Sequence, residues 1–434
     1  MSKKTQQFEL MLPKGMRDLD PVDKLLQNTV VDAIRDIYER YGYAPLETPL
    51  VERMDILRAK FAAGDDSDVS KEIFQVTDQG QRELGLRFDM TVPLARYVAM
   101  NPTIKLPFKR YAIGKVFRDG PIKLGRYREF WQADADIIGV PGAMADAEGV
   151  MMAADLFRKL NLDVTLYVGS REILRELMDA IGIDETLRGK ILIALDKLSK
   201  IGRKEVAMEM QKAGLDAEKS ERLLTVSDCK GSNAERMSEL RKTLQESSGM
   251  LRIKEVLELL KDVPNVVFSP SLARGLGYYT GFFFECFLNK SEITSSLVGT
   301  GRYDNMIGGY LGGEQEFPGV GISFGVSVIC DALRENGEGA KKSLTRVYVV
   351  PVSENERSYA IETAQELRQG GINTDMDLLG RGIGKNFAYA DALGIPFVVV
   401  VGEEERAKQT VTLKDMASGK QETFPREDLL KNLG

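Results

Sequence analysis

Between Val116 and Gly139 the chain reads VFRDGPIKLGRYREFWQADADIIG, two strand-like stretches joined by a loop with Gly, Pro and an arginine at either end. From Arg126 onward the residues alternate as a strand requires, because side chains point to opposite faces at period two. One face then carries Arg126, Arg128, Phe130, Gln132, Asp134 and Asp136. Guanidinium forks match phosphate oxygens bidentately, whereas carboxylates and an amide suit an ammonium or a nitrogen ring. Cations at the mouth and acids further in suit a ligand that is anionic at one end and cationic at the other. The same residues also suit a solvated edge strand with paired surface charges. Alternation alone leaves both readings open.

Two glycine-rich segments are similar in kind. Ser271–Gly281 (SLARGLGYYTG) sets Arg274, Tyr278 and Tyr279 among glycines, and Gly299–Asp304 (GTGRYD) delivers Tyr303. Glycine lets a ligand approach the backbone, and tyrosine offers a flat wall with a hydroxyl handle. Either pattern alone more often means a tight turn. The chain contains no histidine. Ser-His-Asp and Cys-His catalysis and His-ligated metals are therefore excluded, and the chemistry must rest on arginines, carboxylates and backbone. Cys229, Cys286 and Cys330 are far apart with no CxxC, which indicates neither a zinc site nor a disulfide framework.

The elements that must position these residues are legible in part. Asp20-Pro21 is a helix start, an N-cap followed by proline in the first turn, before an apolar-periodic stretch ending at Gly42. Pro45 and Pro49 bracket an extended segment that suits an edge strand or an interface. Leu84–Thr91 reads as a strand with Arg87, Asp89 and Thr91 on one face, after which Pro93 opens a helix. From about Arg171 to Lys261 the texture is Leu-, Glu- and Lys-rich helix, with Lys197, Lys200, Arg203 and Lys204 as a basic cluster, either a solvated face or an RNA contact. Residues 344–434 alternate strand and helix as a small α/β domain with a partly parallel sheet.

The 434 residues suggest roughly two to four domains. The expected division is 1–172 and 263–334 as one core, 173–262 as a helical insertion, 335–343 as a linker and 344–434 as a separate domain. A net charge of −6 argues against a uniformly basic nucleic-acid coat, though what counts is where cations cluster. No apolar run approaches the roughly 20 residues that span a bilayer, and the N-terminus lacks the apolar segment of a secretory signal. A reducing cytoplasm and no membrane are the expectation.

Together these motifs resemble the class II aminoacyl-tRNA synthetases, specifically the histidyl-tRNA synthetase family. The Phe117–Gly139 stretch is similar to its second class motif, LARGLGYYTG and GTGRYD to its two histidine-specific motifs, and LRFDMTVPLAR to the strand holding the substrate amino group. PLETPLVE resembles the first class motif, a dimer interface, and the C-terminal residues resemble an anticodon-binding domain. The resemblance implies an α+β fold, an antiparallel-sheet catalytic core with a helical insertion plus a C-terminal α/β domain. It also implies a homodimer that uses ATP with Mg²⁺ to join L-histidine to tRNA(His), with no protein metal ligands.

Position by position, the resemblance puts Asp89, Thr91 and Gln132 on the histidine ammonium. Asp136, Tyr278, Tyr279 and Tyr303 fall in the imidazole pocket. Arg118 and Arg274 fall on the ATP α-phosphate as the catalytic cations, with Arg118 also on the substrate carboxylate. Phe130 would stack on adenine, and Arg126 would reach adenine or the distal phosphates. Asp134 receives no role and is expected to be structural. Two positions depart from the family pattern: Gly120 stands where a glutamate is usual, and Val328 where an adenine-stacking arginine is usual. The competing readings are a catalytically silent paralogue that regulates ATP phosphoribosyltransferase, and a synthetase for threonine, proline or glycine.

Overall fold

The computed structural model describes residues 9–59, 71–122, 127–273, 279–312, 316–337 and 341–433. They fall into two compact units, Met1–Arg17 with Thr29–Gly337, and Asp18–Asn28 with Glu338–Gly434. The strands of the first are β1 (Ala44–Pro45), β2 (Val51–Arg53), β3 (Gln75–Thr77), β4 (Glu83–Leu86), β5 (Phe108–Phe117), β6 (Glu129–Ile138), β7 (Val164–Ser170), β8 (Val266–Phe268), β9 (Phe282–Leu288), β10 (Val298–Arg302) and β11 (Gly319–Gly325). Eight of them form one sheet in the order β1-β5-β6-β11-β10-β9-β7-β8, and β2-β4-β3 form a small one. Every pairing inside the large sheet is antiparallel, with β1 and β8 added parallel at the two edges.

The large sheet has one apolar face and one face built for something else. Strand β11 shows why: Val320, Ile322 and Phe324 alternate with Gly319, Gly321, Ser323 and Gly325. Phe324 packs against Tyr38 and Phe157, and the Tyr38 hydroxyl donates to the carbonyl of Ala133 at 2.6 Å. On that face Arg302 donates to Asp146 of the helix Ala143–Lys159 at 2.9 Å. Burial pushes Asp146 up to about 6, with Arg302 and Arg252 opposing it. The arginine of GTGRYD is therefore an anchor for that helix.

From Arg171–Ile181 to Ser248–Leu259 the chain is helical, as its texture predicts. Ser170, Asp184, Asp216, Ser232 and Ser247 each cap the following helix by accepting a backbone N–H. The basic cluster does not form one face: Lys197 pairs with Glu209 at 2.8 Å, Lys200 with Asp196 at 3.9 Å and Arg203 with Glu221 at 2.6 Å. Three of the four cations face acids, which favours the solvated-face reading over a phosphate-binding patch.

The second unit holds β12 (Val347–Pro351), β13 (Thr374–Met376), β14 (Phe397–Val401), β15 (Thr410–Asp415) and β16 (Gln421–Pro425) in the order β13-β12-β14-β15-β16. β12 pairs parallel with both β13 and β14, and the last three strands form an antiparallel meander. The partly parallel sheet expected from the strand–helix alternation is present, extended by the β15–β16 hairpin. Among the described residues no helix is long and apolar enough to cross a membrane.

Candidate active site

Strand β6 lies in the interior of the sheet, between β5 and β11, so the open choice of an edge strand is settled against. Its register sets Asp136 opposite Arg110 of β5 and Gly321 of β11. Directly opposed residues share a face, so the missing side chain at Gly321 decides what can stand there. A Cβ at Gly321 would lie 2.5 Å from Asp136 Oδ1, one at Gly319 would lie 2.8 Å from the Tyr303 ring, and one at Gly301 would lie 2.5 Å from the Tyr279 ring. Three glycines on neighbouring strands thus vacate the floor on which one carboxylate and two tyrosine rings sit.

Asp136 and Tyr303 are each 1% exposed. The Tyr303 hydroxyl donates to Asp136 Oδ1 at 2.5 Å. Arg110 Nη2 stands 2.7 Å from Asp136 Oδ2 and also donates to the Met90 carbonyl at 2.9 Å. The ion pair is close but off the line a hydrogen bond needs, so Oδ2 has no hydrogen-bond partner. Burial raises Asp136 from the usual carboxylate range, with Arg110 and Tyr303 pulling it back. Burial, reinforced by Asp136, pushes Tyr303 well above the usual phenol range, which keeps its proton on as a donor.

Gln132 lies on the same strand face. Its amide nitrogen donates to Ser323 Oγ at 2.8 Å, and its carbonyl oxygen is buried without a partner. An unpaired buried polar atom costs about 1–3 kcal/mol, so two open acceptors on one face suit a ligand bearing two cationic or N–H groups. Arg110 Nε, on the residue opposite Asp136, is a third buried polar atom without a partner, this one a donor.

Asp89 is buried and accepts from the Val92 N–H at 3.0 Å. The expected strand Leu84–Thr91 ends at Leu86, and Thr91 is the first residue of the helix Thr91–Met100. Proline at the third helical position costs no hydrogen bond, since first-turn N–H groups have no intrahelical partner. Arg87, Phe88, Asp89 and Met90 are all buried, so the expected alternation fails there. Arg87 itself is structural, donating to the carbonyls of Lys115 at 2.9 Å and Thr48 at 3.0 Å.

Arg118 donates to the Phe88 carbonyl at 3.1 Å, and its guanidinium lies 5.2 Å from the centre of the Phe130 ring. The cation and the aromatic expected at the nucleotide are therefore already adjacent. The space above Gly120 is filled by the Glu72 carboxylate, whose Cδ would lie 2.5 Å from a Cβ there. A side chain at 120 would have to displace that carboxylate, which reaches the spot from a different segment. Val328 lies on the helix Val326–Glu335. Arg126, Arg274 and Tyr278 lie outside the described residues.

A family model described as histidyl-tRNA synthetase matches residues 15–329. This chain belongs to the histidyl-tRNA synthetase family. A model of an anticodon-binding domain matches residues 346–434. Histidine–tRNA ligase 1 of Bacillus cereus is 38% identical over 431 residues, which cover 98% of this chain and 100% of the relative. The crystal structure of histidyl-tRNA synthetase from Nostoc sp. PCC 7120 superposes with a TM-score of 0.87 at 30% identity, covering 98% of this chain and 99% of that one. A Bacillus halodurans structure described as an ATP phosphoribosyltransferase regulatory subunit/histidyl-tRNA synthetase gives 0.75 at 22% identity over 92% of this chain and 99% of its own, a likeness of fold alone.

The histidyl-tRNA synthetase motifs assign no role to Arg110, Glu72 or Ser323. Arg110 carried one usable signal, a cation in a strand that pairs with the motif strand. Ser323 lies in the Gly-rich stretch before Val328, but nothing marked its partner, because its contact with β6 spans 189 residues of sequence.

Proposed function

We propose that this chain is a histidine–tRNA ligase that activates L-histidine with ATP and passes it to the 3′ end of tRNA(His). The observation that carries the reading is the pair of buried open acceptors, Gln132 Oε1 and Asp136 Oδ2, on one strand face. Histidine has two N–H-bearing groups at its ends, an ammonium and an imidazole. Asp89, Thr91 and Gln132 take the ammonium. Asp136, Tyr303, Tyr279 and Tyr278 form the ring pocket, with Asp136 accepting from an imidazole N–H.

With the amine and ring fixed, the histidine carboxylate is the nucleophile. One carboxylate oxygen attacks the α-phosphorus of ATP, the P–O bond to the β-phosphate breaks, and pyrophosphate leaves. No protein base is needed, so positioning and charge stabilisation carry the rate. Arg118 and Arg274 supply that charge, Phe130 stacks on adenine, and Arg126 reaches the distal phosphates or the base. In the second step a terminal ribose hydroxyl attacks the mixed anhydride and AMP leaves. Among the described residues no group of three or more Cys, Asp or Glu side chains is placed to hold a metal. Mg²⁺ is commonly held through phosphates and one or two carboxylates, so it belongs here as the partner of ATP, and no step is routed through it.

We divide the chain into a core of residues 1–172 and 263–334, a helical insertion of 173–262, a linker at 335–343 and an anticodon-binding-like domain at 344–434. Residues 338–340 of that linker lie outside the described residues. We place the enzyme in the cytoplasm as a homodimer. Val328, in place of an arginine, favours the silent paralogue, and the anticodon-binding match over residues 346–434 opposes it. ATP–pyrophosphate exchange with each of the twenty amino acids separates them. Exchange with histidine alone is expected, and no exchange with any amino acid would sink the ligase in favour of the paralogue.

A further inference from the structure

Asp134 has no task in the reaction as described, yet it is buried in the middle of the site face. Its register partner on β11 is Ser323, and the next site-face pair along the two strands is Gln132 with Gly325. The Ser323 hydroxyl donates to Asp134 Oδ1 at 2.5 Å, and Gln132 Nε2 donates to Ser323 Oγ at 2.8 Å. A hydroxyl has one proton. At Ser323 that proton is claimed by an acceptor-only carboxylate, so the serine can face Gln132 only as an acceptor. Gln132 must then present its NH₂ to Ser323, and its carbonyl oxygen is turned the other way, where it is buried and unpartnered.

We propose that Asp134 and Ser323 are positioning residues, forming a one-way hydrogen-bond relay that holds the Gln132 carbonyl oxygen toward the substrate ammonium. With the relay reversed, Gln132 would offer an NH₂ to an ammonium, donor against donor. The inference rests on the reading of Gln132 as an ammonium ligand. It also accounts for the residue type at 323: on a face otherwise emptied by Gly319, Gly321 and Gly325, one hydroxyl is retained.

The relay is pH-sensitive in sign. The charged and titratable groups coupled to Asp134 are Arg110 of β5, Asp136 on its own strand, Asp89, Arg87, Tyr38 and Tyr303. Burial pushes Asp134 up to about 7, while Arg110 and the Ser323 hydroxyl hold it down. As pH falls through that range the carboxylate gains a proton and becomes able to donate to Ser323. The serine proton is then released toward Gln132, and the amide turns.

The test measures binding of L-histidine and of its amine-free analogue 3-(imidazol-4-yl)propanoate to the full-length chain, by titration calorimetry with Trp131 fluorescence as a second signal. The ratio of the two dissociation constants isolates the amine, and comparing wild type with Asp134→Asn at each pH removes the titration of the two ligands' imidazoles, which differ because only histidine carries an ammonium beside its ring. Ser323→Ala is expected to cut that ratio about tenfold while moving the analogue's constant less than about threefold. Asp134→Ala is expected to do the same, and Asp134→Asn, which keeps a carbonyl acceptor but does not titrate, to recover most of the ratio at pH 8. Between pH 8 and 6 the wild-type ratio is expected to fall relative to the Asp134→Asn ratio. Equal weakening of both ligands by Ser323→Ala, or identical pH profiles for wild type and Asp134→Asn, would overturn the relay. If Gln132→Ala leaves the ratio intact, the ammonium reading itself fails. A ratio lost in Gln132→Ala but kept in Ser323→Ala removes the relay and leaves that reading standing.

Discussion

Asp136 does two jobs through its two oxygens: one accepts from Tyr303, and the other stays open beside Arg110. A hydrogen bond to a charged group is worth about 1.5–3 kcal/mol, so Asp136→Ala should raise the KM for histidine roughly 10- to 100-fold. The KM for ATP should stay within about twofold, and an equal rise in both would show that Asp136 is structural. The same substitution strands the buried Arg110, a loss that typically costs about 3–5 kcal/mol of stability, so thermal unfolding must be followed beside the kinetics. Asp134 has the opposite stability signature. A folded carboxyl held near 7 against about 3.9 unfolded opposes folding by an amount that grows as pH rises through that window and is absent below it. A gap of about three pH units corresponds to at most roughly 4 kcal/mol. Asp134→Asn should therefore gain Tm relative to wild type on going from pH 4 to pH 8, read by calorimetry. A constant or shrinking difference would show that burial does not raise the Asp134 carboxyl.

At the scale of elements, the site is a place where strands give up side chains. Gly321, Gly319 and Gly301 have no Cβ, and the space each leaves is taken by Asp136, Tyr303 or Tyr279. Gly321→Ala sets a methyl 2.5 Å from a buried carboxylate oxygen, so a shift is forced; overpacking of this kind costs about 1–3 kcal/mol. The expected result is at least a tenfold rise in the KM for histidine with circular dichroism unchanged; a normal KM would mean that Asp136 moves freely and is not fixed for the ring. Alternation along Arg128–Asp136 predicted which side chains share a face, because that depends only on strand period. It did not predict that β6 is interior, because strand period carries no information about pairing and its second neighbour, β11, comes from a segment some 190 residues later. The strand expected over Leu84–Thr91 was cut short locally: the Asp89 carboxylate accepts from the Val92 N–H, and a helix starts at Thr91, two residues before Pro93.

For the whole molecule, the exposed apolar side chains Leu10 (95%), Met11 (74%), Leu50 (45%) and Val51 (41%) include part of the segment that resembles the dimer motif. A homodimer covers such a surface, so light scattering should return twice the chain mass of 48.3 kDa at micromolar concentration. Leu50→Asp with Val51→Asp should shift it toward monomer. A monomeric wild type across that range would remove the dimer. The sequence alone determined the chemistry available to the molecule: no histidine, arginines to meet phosphate, acids and tyrosines to meet an amine and a ring, and motifs specific enough to identify the family. It also determined which stretches are helix or strand where capping and periodicity are local. Only the tertiary structure decided which of those groups stand open. Asp136 is held open by a glycine on the next strand, Gln132 by a serine 191 residues away, and the place of a glutamate at 120 is filled by Glu72. Those outcomes depend on pairings between distant segments and on excluded volume, and neither leaves a periodic signal in the chain.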